Sequence, residues 1–294
     1  MNMNMNLYSR GDKVFVWINM FLITMFTIST LYPFIYIASV SFSSGAAATA
    51  GQVLLTPVDM TLAAYKQVLS EPMFWISYKN TFIYTIGGTI VSLIIIIPGA
   101  YALSRPQLVG RRFWNMTIAF TMWFNAGMIP FFLNMRDLGL LDSYIGIIIG
   151  FACNAFNIIL LRNFFESLPS SFEEAARMDG ANEFQVLWKV FVPLSKPAIA
   201  TITLFCIVAR WNGFFWAMIL LRDEDKIPLQ VYLRQTIIQL TNDDDFASSL
   251  LEATYSFETV SAAIMVCSII PVLVFYPFIQ KYFNKGIMMG GVKE

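Results

Sequence analysis

The sequence predicts an all-α membrane protein that crosses the bilayer with six helices. Of its 294 residues, 57% are hydrophobic and only 13% are charged, and the mean hydropathy is +0.63. A soluble protein of this length carries about 25% charged residues. The chain also has six apolar stretches, each long enough to cross about 30 Å of hydrocarbon. The alternating pattern of a membrane β-barrel is absent, so a helix bundle is the remaining spanning fold.

The six predicted spans follow one another without a linker, so we predict a single membrane domain over residues 1–294. The spans cover approximately 14–42, 78–103, 113–133, 143–161, 198–221 and 260–282. The first is too long for the apolar core of a signal peptide, about 7–15 residues, and is interpreted as a retained helix. Two connecting segments, about 43–77 and about 222–259, are long enough to be functional loops.

Lys and Arg are unevenly distributed between the two sides of the predicted bundle. The richer side holds both termini and the segment between the fourth and fifth spans, so the positive-inside rule places these in the cytoplasm. The opposite side carries the acidic clusters Asp223-Glu224-Asp225 and Asp243-Asp244-Asp245. The two long loops are therefore predicted to be external.

Several kinds of chemistry are excluded by the composition. The chain has no histidine, so no Ser-His-Asp triad is possible, and it lacks the G-x-x-x-x-G-K-[ST] phosphate loop. Its three cysteines lie far apart in apolar spans and are interpreted as small hydrophobic residues. The formal net charge is zero, which gives no reason to expect nucleic acid as a partner.

The polar segment of about 166–197 predicts a helix, a glycine corner and a second helix. Ser170 or Ser171 has a glutamate three residues later, which is the capping-box spacing for a helix start. Glu173 and Arg177 have the i,i+4 spacing of a helical ion pair. Gly180 can adopt the left-handed conformation that ends a helix.

The second helix of this segment is predicted to begin at Asn182 as its N-cap. Four apolar residues at helical spacing predict one buried stripe: Phe184, Leu187, Trp188 and Phe191. Pro193 is predicted to end the helix, because the residue before a proline avoids the α region. A compact helical unit of this kind outside the bilayer suits docking to another protein.

This segment resembles the "EAA" loop of the permease subunits of bacterial ATP-binding-cassette importers. The family pattern is EAA, three residues, Gly, nine residues, Ile, one residue, Leu-Pro. The matching residues are Glu174-Ala175-Ala176, Asp179-Gly180-Ala181 and Val190-Phe191-Val192-Pro193. Every spacing is kept, and the only departures are Val190 for isoleucine and Val192 for leucine.

Other parts of the chain resemble the carbohydrate-importing branch of this family. They are Tyr32-Pro33, Ser39–Phe42, Asn80-Thr81, Trp211-Asn212 and the C-terminal Tyr276–Phe283. The C-terminal stretch, with Lys285–Met288, is similar to permeases for complex oligosaccharides, and an acidic oligosaccharide such as an alginate or pectic fragment is one such substrate.

The resemblance implies the type I importer permease fold in a bacterial inner membrane. It also implies the partners: a second homologous permease subunit, two ATPase subunits, an extracytoplasmic solute-binding protein and an oligosaccharide substrate. ATP and Mg²⁺ would be bound by the ATPases, so this chain is expected to be no enzyme and to hold no cofactor. The residues expected to couple it to the ATPases are Glu174, Ala175, Ala176, Asp179, Gly180 and Ala181.

Arg210, Trp211 and Asn212 form the candidate substrate contact within the fifth span. An arginine inside a membrane span is a functional-site hypothesis by default, and its planar fork suits a uronate carboxylate. An aromatic ring beside an amide suits a sugar. Alternatively, Arg210 reaches the outer interface or pairs with a partner subunit, and Trp211 belongs to the interfacial aromatic belt.

The acidic residues of the second external loop have two interpretations. Asp223, Asp225, Asp243 and Asp245 could be docking charges for the solute-binding protein, or they could belong to a solvated loop. Two other classes of function have different sequence requirements for the whole chain. An ion-coupled secondary transporter would need an acidic residue within a span, and none is evident. A structural membrane anchor would not require two large external loops.

Overall fold

The computed structural model describes residues 10–242 and 254–286. All regular elements within these residues are helical. The longer ones are α1 (Arg10–Ser41), α4 (Pro72–Ser104), α5 (Arg111–Trp123), α6 (Met128–Asp137), α8 (Ala155–Glu166), α9 (Ser170–Met178), α12 (Lys196–Trp211), α14 (Leu229–Asn242) and α15 (Phe257–Gly286). The shorter ones are α2 (Gly45–Thr49), α3 (Ala63–Ser70), α7 (Tyr144–Gly150), α10 (Glu183–Val186), α11 (Val192–Leu194) and α13 (Phe215–Leu220). A π-helical stretch, Leu187–Phe191, joins α10 to α11, and a 3₁₀ turn covers Glu224–Lys226.

Three helices in the described part of the chain are long and apolar enough to cross a membrane alone. They contain Gly11–Ser41, Pro72–Ser104 and Phe257–Val274, which confirms the first, second and sixth predicted spans as continuous helices. Three bent pairs raise the number of candidate spans to as many as six: α5 with α6 at 114°, α7 with α8 at 47°, and Glu183–Leu194 with α12 at 84°.

The third, fourth and fifth predicted spans are not the continuous helices that their hydropathy predicted. The third breaks before Gly127, which has φ +90°, and the fourth breaks between α7 and α8. The fifth is interrupted after Trp211, where α12 ends before α13 begins. Hydropathy reports how apolar a segment is but not whether its backbone is continuous, because neighbouring helices can satisfy a broken backbone.

The described residues belong to two compact units, residues 10–71 with 235–242 and 254–267, and residues 72–234 with 268–286. In the first unit, Val40, Ala47, Val53 and Ala262 form a small core. Most large apolar side chains of α1 from Val14 to Tyr36 are between 40% and 72% exposed. A helix exposed and apolar on all sides suits hydrocarbon or another protein as its surroundings. The single membrane domain stays a prediction.

The second unit has two clusters of buried side chains along α4. One includes Ile96, Ala100, Leu161, Val186 and Ile202, from α4, α8, α10 and α12. The other includes Tyr84, Met135, Ile147, Leu220 and Val231. These clusters fix α8 and α12 against α4, and the segments that carry the candidate sites are attached to these helices.

Asn80 of α4 fastens the segment after α13 to the N-terminal half of α4. Its amide nitrogen donates to the carbonyl oxygens of Asp225 at 2.8 Å and Ile227 at 3.1 Å, and its amide oxygen accepts from Tyr144 at 2.9 Å. The side chain is only 1% exposed. The bond to Ile227 is buried and the other two are part-buried, so losing the side chain leaves the buried Ile227 carbonyl unpaired.

Asn80→Ala is therefore expected to destabilise the protein by about 2–4 kcal/mol, because it removes three hydrogen bonds and leaves the buried Ile227 carbonyl without this donor. The measurement is the thermal unfolding midpoint of the purified protein. Asn134→Ala is the matched control, because the Asn134 side chain is exposed, and its midpoint should hardly change. Equal midpoints for the two variants would contradict the fastening role of Asn80.

Candidate functional site

The segment 166–197 folds as the predicted helix, corner and helix. α9 ends at Met178, and Gly180 follows with φ +81°. The Gly180 and Ala181 N–H groups donate to the carbonyl oxygens of Arg177 and Ala176, both at 3.0 Å. This left-handed closure satisfies carbonyls that the last turn of a helix leaves unpaired. The prediction for Gly180 is confirmed.

The N-terminus of α9 differs from the prediction. Its N-cap residue is Pro169, no side chain caps the helix, and Ser170 already lies within it. The predicted capping box with Ser170 or Ser171 is therefore wrong. Glu173, the glutamate that a box with Ser170 needs, is instead bound by Arg105, immediately after α4, and by Arg177, the latter at 3.0 Å. The predicted ion pair of Glu173 with Arg177 is confirmed.

Asn182 caps the second helix as predicted. Its side-chain oxygen accepts from the Gln185 N–H at 2.9 Å, and the Gln185 side chain accepts from the Asn182 N–H at 3.0 Å. This reciprocal pair of bonds is a capping box. It fixes the start of α10 immediately after the Gly180 corner.

The predicted apolar stripe of this helix is only half correct. Leu187 and Phe191 are buried, but Phe184 is 70% exposed and Trp188 is 40% exposed. The stretch Leu187–Phe191 is π-helical, so the 3.6-residue period used for the prediction does not hold. Val186 is fully buried instead and packs in the core with Leu187 and Phe191, where Phe184 and Trp188 were expected.

Pro193 does not end the helix as predicted. Val192 keeps helical dihedral angles, and the turn Val192–Leu194 continues to Ser195. Pro193 is the second residue of this short turn, directly after the π-helical stretch. The chain then bends by 84° into α12.

A cluster of ionic and aromatic side chains attaches this segment to the end of α4. We call Tyr101, Arg105, Glu173, Arg177 and Glu183 the α4 latch. Arg105 pairs with Glu173, and Arg177 bridges Glu173 and Glu183. The Tyr101 hydroxyl donates to Glu183 at 2.7 Å. The latch thus joins both helices of the segment to a membrane-spanning helix.

Burial makes the Arg105–Glu173 pair the main contact of the α4 latch. The two side chains are 12% and 15% exposed, and the Arg105 guanidinium lies 4.7 Å from the Tyr101 ring centroid and 4.4 Å from that of Phe191. A shielded, stacked arginine pair is screened less by salt than the exposed Arg177–Glu183 pair. Sequence reasoning missed this role, since it used Arg105 only as evidence for topology.

The exposed side of the segment carries most of the predicted coupling residues. Glu174, Ala175, Asp179 and Gly180 are exposed, whereas Ala176 and Ala181 are half-buried against the core of the second unit. The Tyr101 hydroxyl, and after it Arg177, holds the pKa of Glu183 below its ordinary value. The segment therefore presents the exposed carboxyl groups of Glu174 and Asp179, beside which Phe184 and Trp188 are also exposed.

The structure gives Arg210, Trp211 and Asn212 different surroundings. The Arg210 guanidinium donates to the carbonyl oxygens of Ile147 at 2.6 Å and Ile148 at 3.0 Å. Trp211 is 4% exposed, and its indole N–H donates to the Ser268 carbonyl at 3.0 Å. Asn212 is exposed and bonds to Val208 on its own helix. The burial of Trp211 speaks against the predicted sugar contact, and the three roles stay predictions.

Two of the predicted docking aspartates lie in an ordered turn. The Asp223 side chain accepts from the Asp225 N–H at 3.0 Å and pairs with Lys226 at 3.1 Å, while the Asp225 side chain is exposed. Asp243 and Asp245 lie outside the described residues. Asp223 is thus occupied within its own turn, and Asp225 is the better placed of the two to meet a partner.

Asp142 holds this turn from the neighbouring connection between α6 and α7. Its carboxylate accepts from the N–H groups of Arg222 at 3.0 Å and Asp223 at 3.1 Å, and Lys226 lies at 3.2 Å. These backbone donors, followed by Lys226, lower the pKa of Asp142. No sequence pattern indicates this role of Asp142, since it depends on backbone groups about 80 positions later.

The anchoring by Asp142 is expected to depend on pH. Since its pKa is lowered in the folded protein, its contribution is complete above the ordinary aspartate pKa and is lost as the pH falls through the lowered value. The thermal unfolding midpoint, measured from about pH 7 to pH 3, should fall more steeply for the unmodified protein than for Asp142→Asn. Identical slopes would contradict the anchoring role.

Comparison with known proteins agrees with these structural features. The family model described as "Binding-protein-dependent transport system inner membrane component" matches residues 1–289. The chain belongs to this family. It is thus a membrane permease component that works with a solute-binding protein, and the predicted importer-permease fold is confirmed. The alternative of an ion-coupled secondary transporter has no support.

Two curated relatives come from Bacillus subtilis strain 168. The polygalacturonan/rhamnogalacturonan transport system permease protein YtcP is 41% identical over 270 residues, which cover 92% of this chain and 94% of YtcP. Protein LplC is 39% identical over 264 residues, which cover 90% of each chain. The similarity therefore extends along almost the whole length of all three proteins.

Two solved structures have the same fold. A chain in the crystal structure of a bacterial ABC transporter involved in the import of the acidic polysaccharide alginate is 63% identical, with a TM-score of 0.89. The match covers 94% of this chain and 99% of that chain. A chain from a bacterial alginate ABC transporter in complex with an alginate pentasaccharide-bound periplasmic protein has a TM-score of 0.61 at 14% identity, and this second likeness concerns the fold alone.

Proposed function

We propose that this chain is one of two permease subunits of an ATP-driven, binding-protein-dependent importer of acidic oligosaccharides. The observation that carries the proposal is the 63% identity, over 94% of the chain, to a subunit of the alginate-importing transporter. In this arrangement the second permease subunit supplies the other half of the pathway. The solute-binding protein delivers the sugar from outside the inner membrane.

The substrate class follows from what the similar proteins share. One is part of an alginate transporter and another is named for polygalacturonan and rhamnogalacturonan transport. These polysaccharides all contain uronic acid residues, so the shared chemistry is a sugar chain with repeated carboxylates. Alginate fragments are the first candidate because of the higher identity, and pectic fragments are the second.

The segment 166–197 is the proposed contact with the ATPase subunits. Glu174 and Asp179 provide exposed carboxylates for Lys or Arg of a partner, and Ala175 and Gly180 allow its surface to approach the backbone. Ala176 and Ala181 would hold the contact against the core. ATP and Mg²⁺ would bind to the ATPases, so this chain would provide no catalytic residue and no cofactor site.

The α4 latch supports transmission of motion through this contact. When the ATPases close on ATP, a rigidly attached segment moves with them, and α4 would follow through Arg105 and Glu173.

In the proposed topology both termini are cytoplasmic, and the loops of about 43–77 and 222–259 are outside. Asp223, Asp225, Asp243 and Asp245 remain the proposed docking charges for the binding protein.

The test is purification in mild detergent, followed by an ATPase assay of the complex. We expect a second permease and an ATPase to co-purify, and hydrolysis to rise when the binding protein is loaded with alginate fragments. The same assay is repeated with the binding protein loaded with polygalacturonate fragments, and with a neutral oligosaccharide of equal length. A chain that purified alone, and transported in liposomes with only an ion gradient, would contradict the proposal.

A further inference from the structure

The break between α7 and α8 leaves backbone carbonyls that Arg210 satisfies. The last four carbonyls of a helix have no donor within the helix, and in hydrocarbon such groups need a partner. At the end of α7, the Ala152 N–H turns to the Ile149 carbonyl at 3.0 Å. The guanidinium of Arg210 supplies the donors for Ile147 and Ile148. Arg210 is therefore held firmly at the end of a half-span.

The charge of Arg210 lies close to the middle of the membrane-spanning α4. Gly88, halfway along α4, faces the guanidinium, and a Cβ atom there would lie 2.8 Å from the Arg210 Cζ. Only glycine admits the guanidinium so near the helix backbone. Among the residues that the structure describes, no carboxylate lies within ion-pair distance of Arg210.

An open cavity of about 310 Å³ borders Arg210 on α12, at the start of α8. Its polar lining comes from Ser92, Asn154 and Asn157, and its aromatic lining from Phe151, Phe156 and Phe205. Within the described part of the chain, no acidic residue lines it. The volume is within the range of small-molecule sites, about 300–1,000 Å³.

The chemistry of this lining favours a carboxylated sugar residue. Arg210 uses two of its five N–H donors on the α7 carbonyls, so others remain for a ligand. The Asn157 amide nitrogen donates to the Cys206 thiol at a long distance of 3.6 Å. The N-terminus of the 12-residue α8, where Asn154 accepts from the Asn157 N–H at 3.0 Å, adds positive potential. Aromatic rings can pack against the apolar face of a sugar.

We propose that this cavity is a binding site for one uronate residue of the transported chain. Arg210 binds the carboxylate, Asn154, Asn157 and Ser92 bind hydroxyl groups, and the phenylalanine rings cover the sugar. The proposal rests on the proposed function, since it assigns a place in this chain to the acidic substrate class. It also gives Arg210 two tasks, closing α7 and selecting anionic sugars.

Substitutions of Asn154 separate these two tasks. Serine and aspartate both remain good N-caps for α8, and neither touches the bonds of Arg210 to α7. Asn154→Asp adds a negative charge to the cavity, whereas Asn154→Ser adds none. Asn134→Asp adds the same charge at an exposed position outside the cavity. If Asn154→Asp lowers the amount of assembled complex, position 157 provides a second comparison. Asn157→Asp adds a negative charge to the cavity, whereas Asn157→Ala adds none.

The experiment measures uptake of alginate fragments, at several concentrations of loaded binding protein, by the whole importer in liposomes. We expect Asn154→Asp to transport at least about tenfold less sugar per ATP than Asn154→Ser, because the added carboxylate repels the uronate. Asn134→Asp should match the unmodified importer. Equal transport by Asn154→Asp and Asn154→Ser would overturn the uronate site. Failure of the unmodified importer to transport alginate or pectic fragments would instead overturn the proposed function.

Discussion

Arg105→Gln is expected to uncouple sugar transport from ATP hydrolysis in the assembled importer. The substitution removes the cation that pairs with the 15%-exposed Glu173 and stacks on Tyr101 and Phe191. Breaking a shielded pair by removing one partner costs about 2 kcal/mol or more. The segment 166–197 would then move with the ATPases without moving α4. The measurement is the amount of sugar transported per ATP hydrolysed, which should fall at least about tenfold.

Two further variants distinguish this role from a general effect of lost charge. Arg105→Lys keeps the charge but loses the planar fork and the stacking. Its ratio of sugar transported to ATP hydrolysed should therefore lie between that of the unmodified importer and that of Arg105→Gln. Arg136→Gln removes an arginine whose pair with Asp137 is 56% and 66% exposed, and exposed pairs of this kind contribute about 0–1 kcal/mol. Tight coupling in Arg105→Gln, equal to that in Arg136→Gln, would show that the α4 latch does not transmit motion.

Gly180→Ala is expected to weaken the corner between α9 and α10 and with it the coupling to the ATPases. Gly180 has φ +81°, and an ideal Cβ there would meet no atom within 4 Å. The cost is therefore conformational, about 1–2 kcal/mol for a residue with a Cβ in the left-handed region. We expect less ATPase retained on the purified permease and a lower ratio of sugar to ATP.

Gly99→Ala provides a closely matched control for the corner. A Cβ at Gly99 would also meet no atom within 4 Å, but Gly99 has no positive φ and lies within α4. Alanine in a helix interior is favoured over glycine by up to about 1 kcal/mol. Gly99→Ala should therefore keep full coupling. If both alanine variants behaved alike, the left-handed conformation of Gly180 would have no part in the function.

The local chemistry of the coupling segment could be predicted from the sequence because it depends on near neighbours. The Gly180 corner, the Asn182 cap and the Glu173–Arg177 pair each involve residues at most five positions apart. The three continuous spans followed from composition alone. The family was recognisable because its spacing lies within one short segment.

Predictions failed where a distant residue competed for the same group. The capping box with Ser170 was wrong because Arg105, 68 positions before Glu173, binds the Glu173 carboxylate. The apolar stripe was half wrong because packing against the core accommodates a π-helical turn at Leu187–Phe191. Local spacing cannot report either effect, since both depend on what the fold brings near.

The sequence by itself determined the membrane class, the importer-permease family and the helix–corner–helix of segment 166–197. Composition, hydropathy and short-range spacing are sufficient for these features. Only the tertiary structure decided where the breaks in the spans lie, what Arg105 holds and what surrounds Arg210. The surroundings of Arg210 show why the sequence alone could not decide these features. Its two carbonyl partners and Gly88 are more than 60 positions away in the chain, and only packing at the middle of α4 brings them around one guanidinium.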